Sequence, residues 1–104
     1  MLNITPQEIS GNKERILCVE GRLDTTTAPL LEEYITEDAL AVIETLTLDF
    51  SGLEYLSSAG LRVLLKAQKI MNKVENGKMV VKNVNEAIMD IFDVTGFIDI
   101  LTIE

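Results

Sequence analysis

Two adjacent hydroxyl side chains, Ser57 and Ser58, stand directly before the small residues Ala59 and Gly60 and an apolar-periodic segment that begins at Leu61. This order predicts that the serines sit at the start of a helix. The first N–H groups of a helix have no acceptor within it, and the aligned peptide dipoles leave partial positive charge there. A phosphate attached to Ser57 or Ser58 would meet those donors, and small neighbours would let the backbone approach it closely. The same pattern fits a serine that only caps the helix, a role worth about 1 kcal/mol and common at helix starts. On spacing alone, capping is the favoured reading.

Other chemistry finds little support. The chain has no histidine, which removes the commonest general base and metal ligand and excludes Ser-His-Asp and Cys-His hydrolases. Neither GxGxxG nor GxxxxGK[ST] occurs, and the six glycines are scattered singly at turns, so no phosphate cradle of those types exists and no cofactor is assigned. Glu32, Glu33, Glu37 and Asp38 fall where a helix carries solvated charge, so no acid/base pair stands out. The lone Cys18 lies in the apolar run Ile16-Leu17-Cys18-Val19 and reads as a small hydrophobe. A formal charge of −8 repels nucleic acid phosphates and anionic headgroups, so direct nucleic acid contact and membrane insertion are not expected. No apolar stretch approaches the ~20 residues of a membrane span, and the first residues lack a signal-peptide pattern; a cytoplasmic location is the expectation.

The elements that must hold the serines follow from periodicity. With 104 residues, 47% hydrophobic and 25% charged, the chain reads as one domain with an aliphatic core. Leu2 to Ile9, interrupted by Pro6, reads as an edge strand or a strand broken by a bend, and Arg15 to Glu20 as its partner across a Ser10-Gly11-Asn12-Lys13 turn. Asp24-Thr25-Thr26-Thr27-Ala28-Pro29 supplies cap residues before a first-turn proline, predicting a helix that runs to about Ile43. Its buried stripe would be Leu30, Leu31, Tyr34, Ile35, Ala39, Val42 and Ile43. Leu46 to Phe50 is a central strand candidate, Leu53 to Leu56 a short connection, and Leu61 to Val74 a helix that stops near Asn76-Gly77. Lys78 to Val84 reads as a strand, Asn83 or Asn85 caps a helix ending near Gly96, and Phe97 to Ile103 closes as a strand. Strands alternating with helices after a hairpin predict an α/β fold, a mixed sheet with helices packed against it.

Read together, Leu48-Asp49-Phe50-Ser51-Gly52-Leu53-Glu54-Tyr55-Leu56-Ser57-Ser58-Ala59-Gly60-Leu61-Arg62-Val63-Leu64-Leu65 resembles the signature of STAS-domain anti-sigma factor antagonists. Val19-Glu20-Gly21-Arg22-Leu23-Asp24 is similar to that family's Gly-x-Leu-Asp turn, and Met79-Val80-Val81 with Ile91-Phe92-Asp93-Val94-Thr95-Gly96-Phe97 to its last strand and helix. The likeness extends over nearly all of residues 1–104 and implies one STAS domain.

The resemblance further implies that Ser58 is a phosphoacceptor and that Asp24, Ser57, Ser58, Ala59 and Gly60 face a partner. Sporulation and stress-response members commonly carry Asp before the acceptor and Ser or Thr after it; this chain has Ser57 and Ala59 there. The implied partner is an anti-sigma factor that is also a serine kinase, bound by the unmodified protein so that a sigma factor is released. Phosphorylation would cancel binding, a PP2C-type phosphatase would reset the switch, and ATP would belong to the kinase. The broader family also implies an alternative, an unphosphorylated STAS scaffold subunit of a signalling or lipid-transport complex.

Overall fold

A computed structural model describes residues 1–9, 11 and 13–104. Strand β1 (Leu2–Ile9) pairs antiparallel with β2 (Glu14–Leu23), from Leu2 opposite Gly21 to Ile9 opposite Glu14. The expected hairpin is therefore present; Ser10 and Asn12 of its turn lie outside the described residues. Strands β3 (Thr45–Asp49) and β5 (Lys78–Lys82) extend the sheet in parallel, giving the order β1-β2-β3-β5. The mixed sheet and the α/β class agree with the sequence reading.

Side-chain alternation sends Leu17, Leu46, Leu48, Met79 and Val81 into one cluster with Leu31, Leu40, Leu64, Met71, Ile88 and Phe92 from the helices and Ile35 from the link between the first two. The opposite face carries Glu14, Ile16, Cys18 and the buried Thr47, whose hydroxyl donates to Glu14 Oε2 at 2.7 Å. Burial, and then the carboxylates of Asp49 and Glu20, push the Cys18 thiol up and keep it protonated at neutral pH.

Three expectations are corrected. The helix expected to reach Ile43 is two short helices, α1 (Ala28–Glu32) and α2 (Glu37–Leu40). Thr36 is extended, with φ −125° and ψ 156°, and its hydroxyl accepts the Ala39 N–H, so it starts a new helix instead of continuing the old one. The break shifts the phase of the apolar stripe beyond it, leaving Val42 exposed, and Leu30 lies off the buried Ala28–Leu31 side of α1 and is exposed too.

Leu53 to Leu56, read as a connection, is strand β4, parallel to β2. After β3 leaves the lower half of β2, Ser51-Gly52 carries the chain onto the upper half, where Gly21 N–H bonds the Gly52 carbonyl at 2.9 Å. A Cβ on Gly52 would stand 2.7 Å from Glu20 Cγ, which explains the glycine at this step.

The closing strand expected over Phe97 to Ile103 is largely a 3₁₀ turn at Phe97–Asp99. Gly96, at φ 82°, ends the preceding helix, and Leu101 N–H folds back to the Phe97 carbonyl. Only Ile103 reaches the sheet, bridging to Val81.

Two longer helices complete the fold. Helix α3 (Ser58–Lys73) buries Leu61, Leu64, Ala67 and Met71 along one face, and α4 (Glu86–Thr95) buries Ile88 and Phe92. Asn85 resolves the choice of cap for α4, since its side chain accepts the Ile88 N–H at 2.9 Å. Asn83 instead takes φ 59° and donates to Asp49 Oδ1.

Candidate functional site

Strands β2 and β4 run parallel and end side by side at Leu23 and Leu56, so the loops beyond them meet at one end of the sheet. In parallel sheets this carboxyl end is where loops and helix starts present functional groups. The Ser57 N–H bonds the Leu23 carbonyl at 2.9 Å, which ties the start of α3 to the residue preceding Asp24.

Ser57 is the N-cap of α3 in position, with φ −98° and ψ 175°, but its hydroxyl makes no capping bond and is shielded from solvent without a hydrogen-bond partner. The first helical bond runs from Leu61 N–H to the Ser57 carbonyl at 3.0 Å. The N–H groups of Ser58, Ala59 and Gly60 therefore precede the helical ladder, and no side-chain oxygen caps them. Ser58 is the first helical residue and is exposed. The capping role weighed for these serines is thus not performed by the side chain placed to perform it.

Gly60 contributes through packing. A Cβ there would lie 2.6 Å from Leu56 Cδ1 and 2.8 Å from Leu23 Cγ, so only glycine lets the first turn of α3 rest on the ends of β2 and β4. Ala59 is half-buried and lines a hollow of about 290 Å³ between α1 and α3, together with Thr25, Pro29 and Arg62.

Asp24 organises the neighbouring corner. Its Oδ1 accepts from Thr26 N–H at 3.0 Å, Thr26 Oγ1 at 2.8 Å and Thr27 N–H at 3.2 Å. Thr27 Oγ1 in turn accepts the Asp24 N–H at 2.8 Å and donates to the Arg22 carbonyl at 2.7 Å. These bonds, with the Thr26 hydroxyl foremost, hold the Asp24 carboxyl below the usual range. The five residues singled out in the sequence therefore share one end of the sheet; Asp24 and Gly60 shape it, and Ser58 presents a hydroxyl from it.

Two features escaped the sequence reading. Arg22 lies over the Tyr55 ring, 4.3 Å from its centroid, across the β2–β4 pair beside the site. No local pattern marks that pair, because it exists only once β4 is recognised as a strand. Asp49 accepts from Ser51 N–H and Asn83 Nδ2, each at 3.0 Å; the Asn83 bond is the main cause holding its carboxyl low. The Asp-Phe-Ser-Gly stretch thus works as a joint between β3 and β4.

Among the described residues no group of three or more Cys, Asp or Glu is arranged to hold a metal ion, and no helix is long and apolar enough to cross a membrane. BtrV of Bordetella bronchiseptica, to which anti-sigma factor antagonism is ascribed, is 28% identical over 102 residues, covering 98% of this chain and 85% of BtrV. The crystal structure of an anti-sigma factor antagonist from Mycobacterium paratuberculosis superposes with a TM-score of 0.79 at 24% identity, covering 99% of this chain and 85% of that one. The Bacillus cell fate determinant SpoIIAA in its phosphorylated form gives 0.75 at 15% identity, over 98% and 91% of the two chains. The profile of the STAS domain family matches residues 3–104, and with the strand order and the helix start at Ser58 already in place, the chain belongs to the STAS domain family.

Proposed function

We propose that this STAS domain is an anti-sigma factor antagonist switched off by phosphorylation of Ser58. The observation that carries the reading is the exposed Ser58 hydroxyl at the first position of a helix whose leading N–H groups no side chain caps. BtrV and the Mycobacterium protein are described as anti-sigma factor antagonists, and SpoIIAA takes a phosphorylated form on the same fold. The partner is an anti-sigma factor that is also a serine kinase, a PP2C-type phosphatase removes the phosphate, and the exchange takes place in the cytoplasm.

The physics of the switch is local. Phosphorylation adds about −1.5 to −2 charge and a tightly hydrated group. The uncapped amides and the dipole of α3 lower the cost of holding that charge on this protein. A partner that packed against a neutral hydroxyl must then desolvate a dianion. A loss of about 3 kcal/mol lowers affinity more than a hundredfold.

The test joins phosphosite mapping to partner capture. Fragmentation mass spectrometry across Leu56 to Leu61, on protein from growing and stressed cells, should find phosphate on Ser58. Ser58→Ala bait should retain a serine-kinase anti-sigma factor that Ser58→Asp bait loses. Equal capture by both baits, with Ser58 unmodified in every condition, would favour the scaffold alternative.

A further inference from the structure

Basic residues are unevenly placed in this acidic chain. Of nine, four lie on α3 as Arg62, Lys66, Lys69 and Lys73, a helix without a single acidic residue; the other five share the rest of the chain with all seventeen carboxylates. Their 4-3-4 spacing, at 3.6 residues per turn, gathers the four onto an arc of about 60° that runs about 16 Å along the helix. Helix electrostatics favour Lys73, in the last turn, but not the rest of the stripe. Like charges one turn apart repel, and Arg62 lies toward the positive end of the dipole. Among the described residues only Lys66 is paired, to Glu32 at 3.1 Å; Arg62, Lys69 and Lys73 enter no ion pair.

The stripe forms one wall of a trough. Near Arg62 it lines the hollow against α1, and farther along Lys66, Lys69 and Lys73 face Thr36, Glu37 and Asp38 across a hollow of about 590 Å³ that Ile70 also lines. The Glu32–Lys66 pair stands between the two. A shallow strip three turns long suits a rod. The acidic lip at Glu37 and Asp38 opposes a polyphosphate backbone but welcomes a basic group on the far side of a peptide.

We propose that this trough docks an acidic amphipathic helix of a partner protein, its carboxylates one turn apart against the α3 stripe and a basic residue toward Glu37 and Asp38. The surface adjoins the Ser58 switch, since Arg62 lies one turn after Ser58 on α3, but its test uses unphosphorylated protein and a variant near the far end of the helix, so either reading can fail alone.

The probe is a fluorescent Ala-rich peptide of about 20 residues, long enough to hold a helix in water, with Glu at the 4-3-4 spacing on one face and Lys on the other. Anisotropy titration into the full chain at low salt should show binding that weakens with added salt, with amide shifts from Arg62 to Lys73 and along α2. Lys69→Glu, at an exposed position, should weaken binding about fivefold. Lys82→Glu, exposed at the end of β5, changes net charge equally off α3 and should leave binding unchanged. Equal weakening by both variants, no binding at about 1 mM peptide, or tighter binding to phosphatidylglycerol vesicles or duplex DNA would overturn the proposal.

Discussion

Gly60→Ala sets two effects of opposite sign against each other at the base of the site. Alanine is the better helix former by about 1 kcal/mol, so helix propensity alone predicts a more stable protein. The added methyl would stand 2.6 Å from Leu56 Cδ1, 2.8 Å from Leu23 Cγ and 2.9 Å from Leu23 Cδ2, all inside contact distance. The Leu56 methyl is a side-chain end and can swing aside. The Leu23 Cγ is a branch point on a fully buried residue, so relief requires movement of β2 or of α3 itself. Overpacking of this kind costs about 1–3 kcal/mol, and with the contact falling on a buried branch point the cost lies in the upper part of that range, leaving a net loss of about 1–2 kcal/mol after the gain of about 1 from helix propensity. For a domain of this size each kcal/mol moves the melting midpoint by about 4–8 °C. Thermal and urea unfolding followed by circular dichroism reads the change, and Leu56→Ala supplies a second axis. In that cavity-bearing background the methyl has partial room, so the loss should shrink. A Gly60→Ala protein as stable as the parent, or equally destabilised in both backgrounds, would refute the packing role assigned to this glycine.

Asn85→Ala removes the cap on Ile88 N–H and the bond from Nδ2 to the Leu53 carbonyl, both 2.9 Å, and should cost about 1–2 kcal/mol in urea unfolding. Hydrogen bonds hold the Asp49 carboxyl below its unfolded value, so the stability it contributes is complete above about pH 4 and fades as pH falls through the folded pKa. Urea midpoints should therefore be flat near neutrality and decline in acid, less steeply in Asp49→Asn, where that titration is absent.

The longer elements could be read from the chain because their patterns are local. Leu61, Leu64, Ala67 and Met71 repeat at helical spacing, and an asparagine before an apolar run announces the last helix, although the choice between Asn83 and Asn85 needed the structure. Thr36 was harder to read, since nothing in the apolar period says that its backbone leaves the helix before its side chain caps the next one. The tail misled for a related reason. Ile98, Ile100, Leu101 and Ile103 have strand-forming side chains, but the left-handed Gly96 sends the chain into a tight turn, and one bridge is all that forms. Strand β4 was invisible because its four residues gain their identity from a parallel partner some thirty positions away, across a register shift at Gly21 and Arg22. At the site, the order Ser57-Ser58-Ala59-Gly60 foretold the helix start. That Ser57 leaves the amides uncapped depends on where its side chain turns, which sequence does not carry.

Strand β3 is held on both sides, by β2 and β5, while among the described residues β4 has a strand neighbour only on its β2 side, the Asn85 side chain bonding the Leu53 carbonyl beside it. Amide exchange along β2 should then follow a gradient, slow where it faces β3 and faster where it faces β4, since opening the second segment breaks fewer bonds. The serine is mounted on the looser half. Local opening there can reshape the start of α3 while leaving the β2–β3–β5 centre closed.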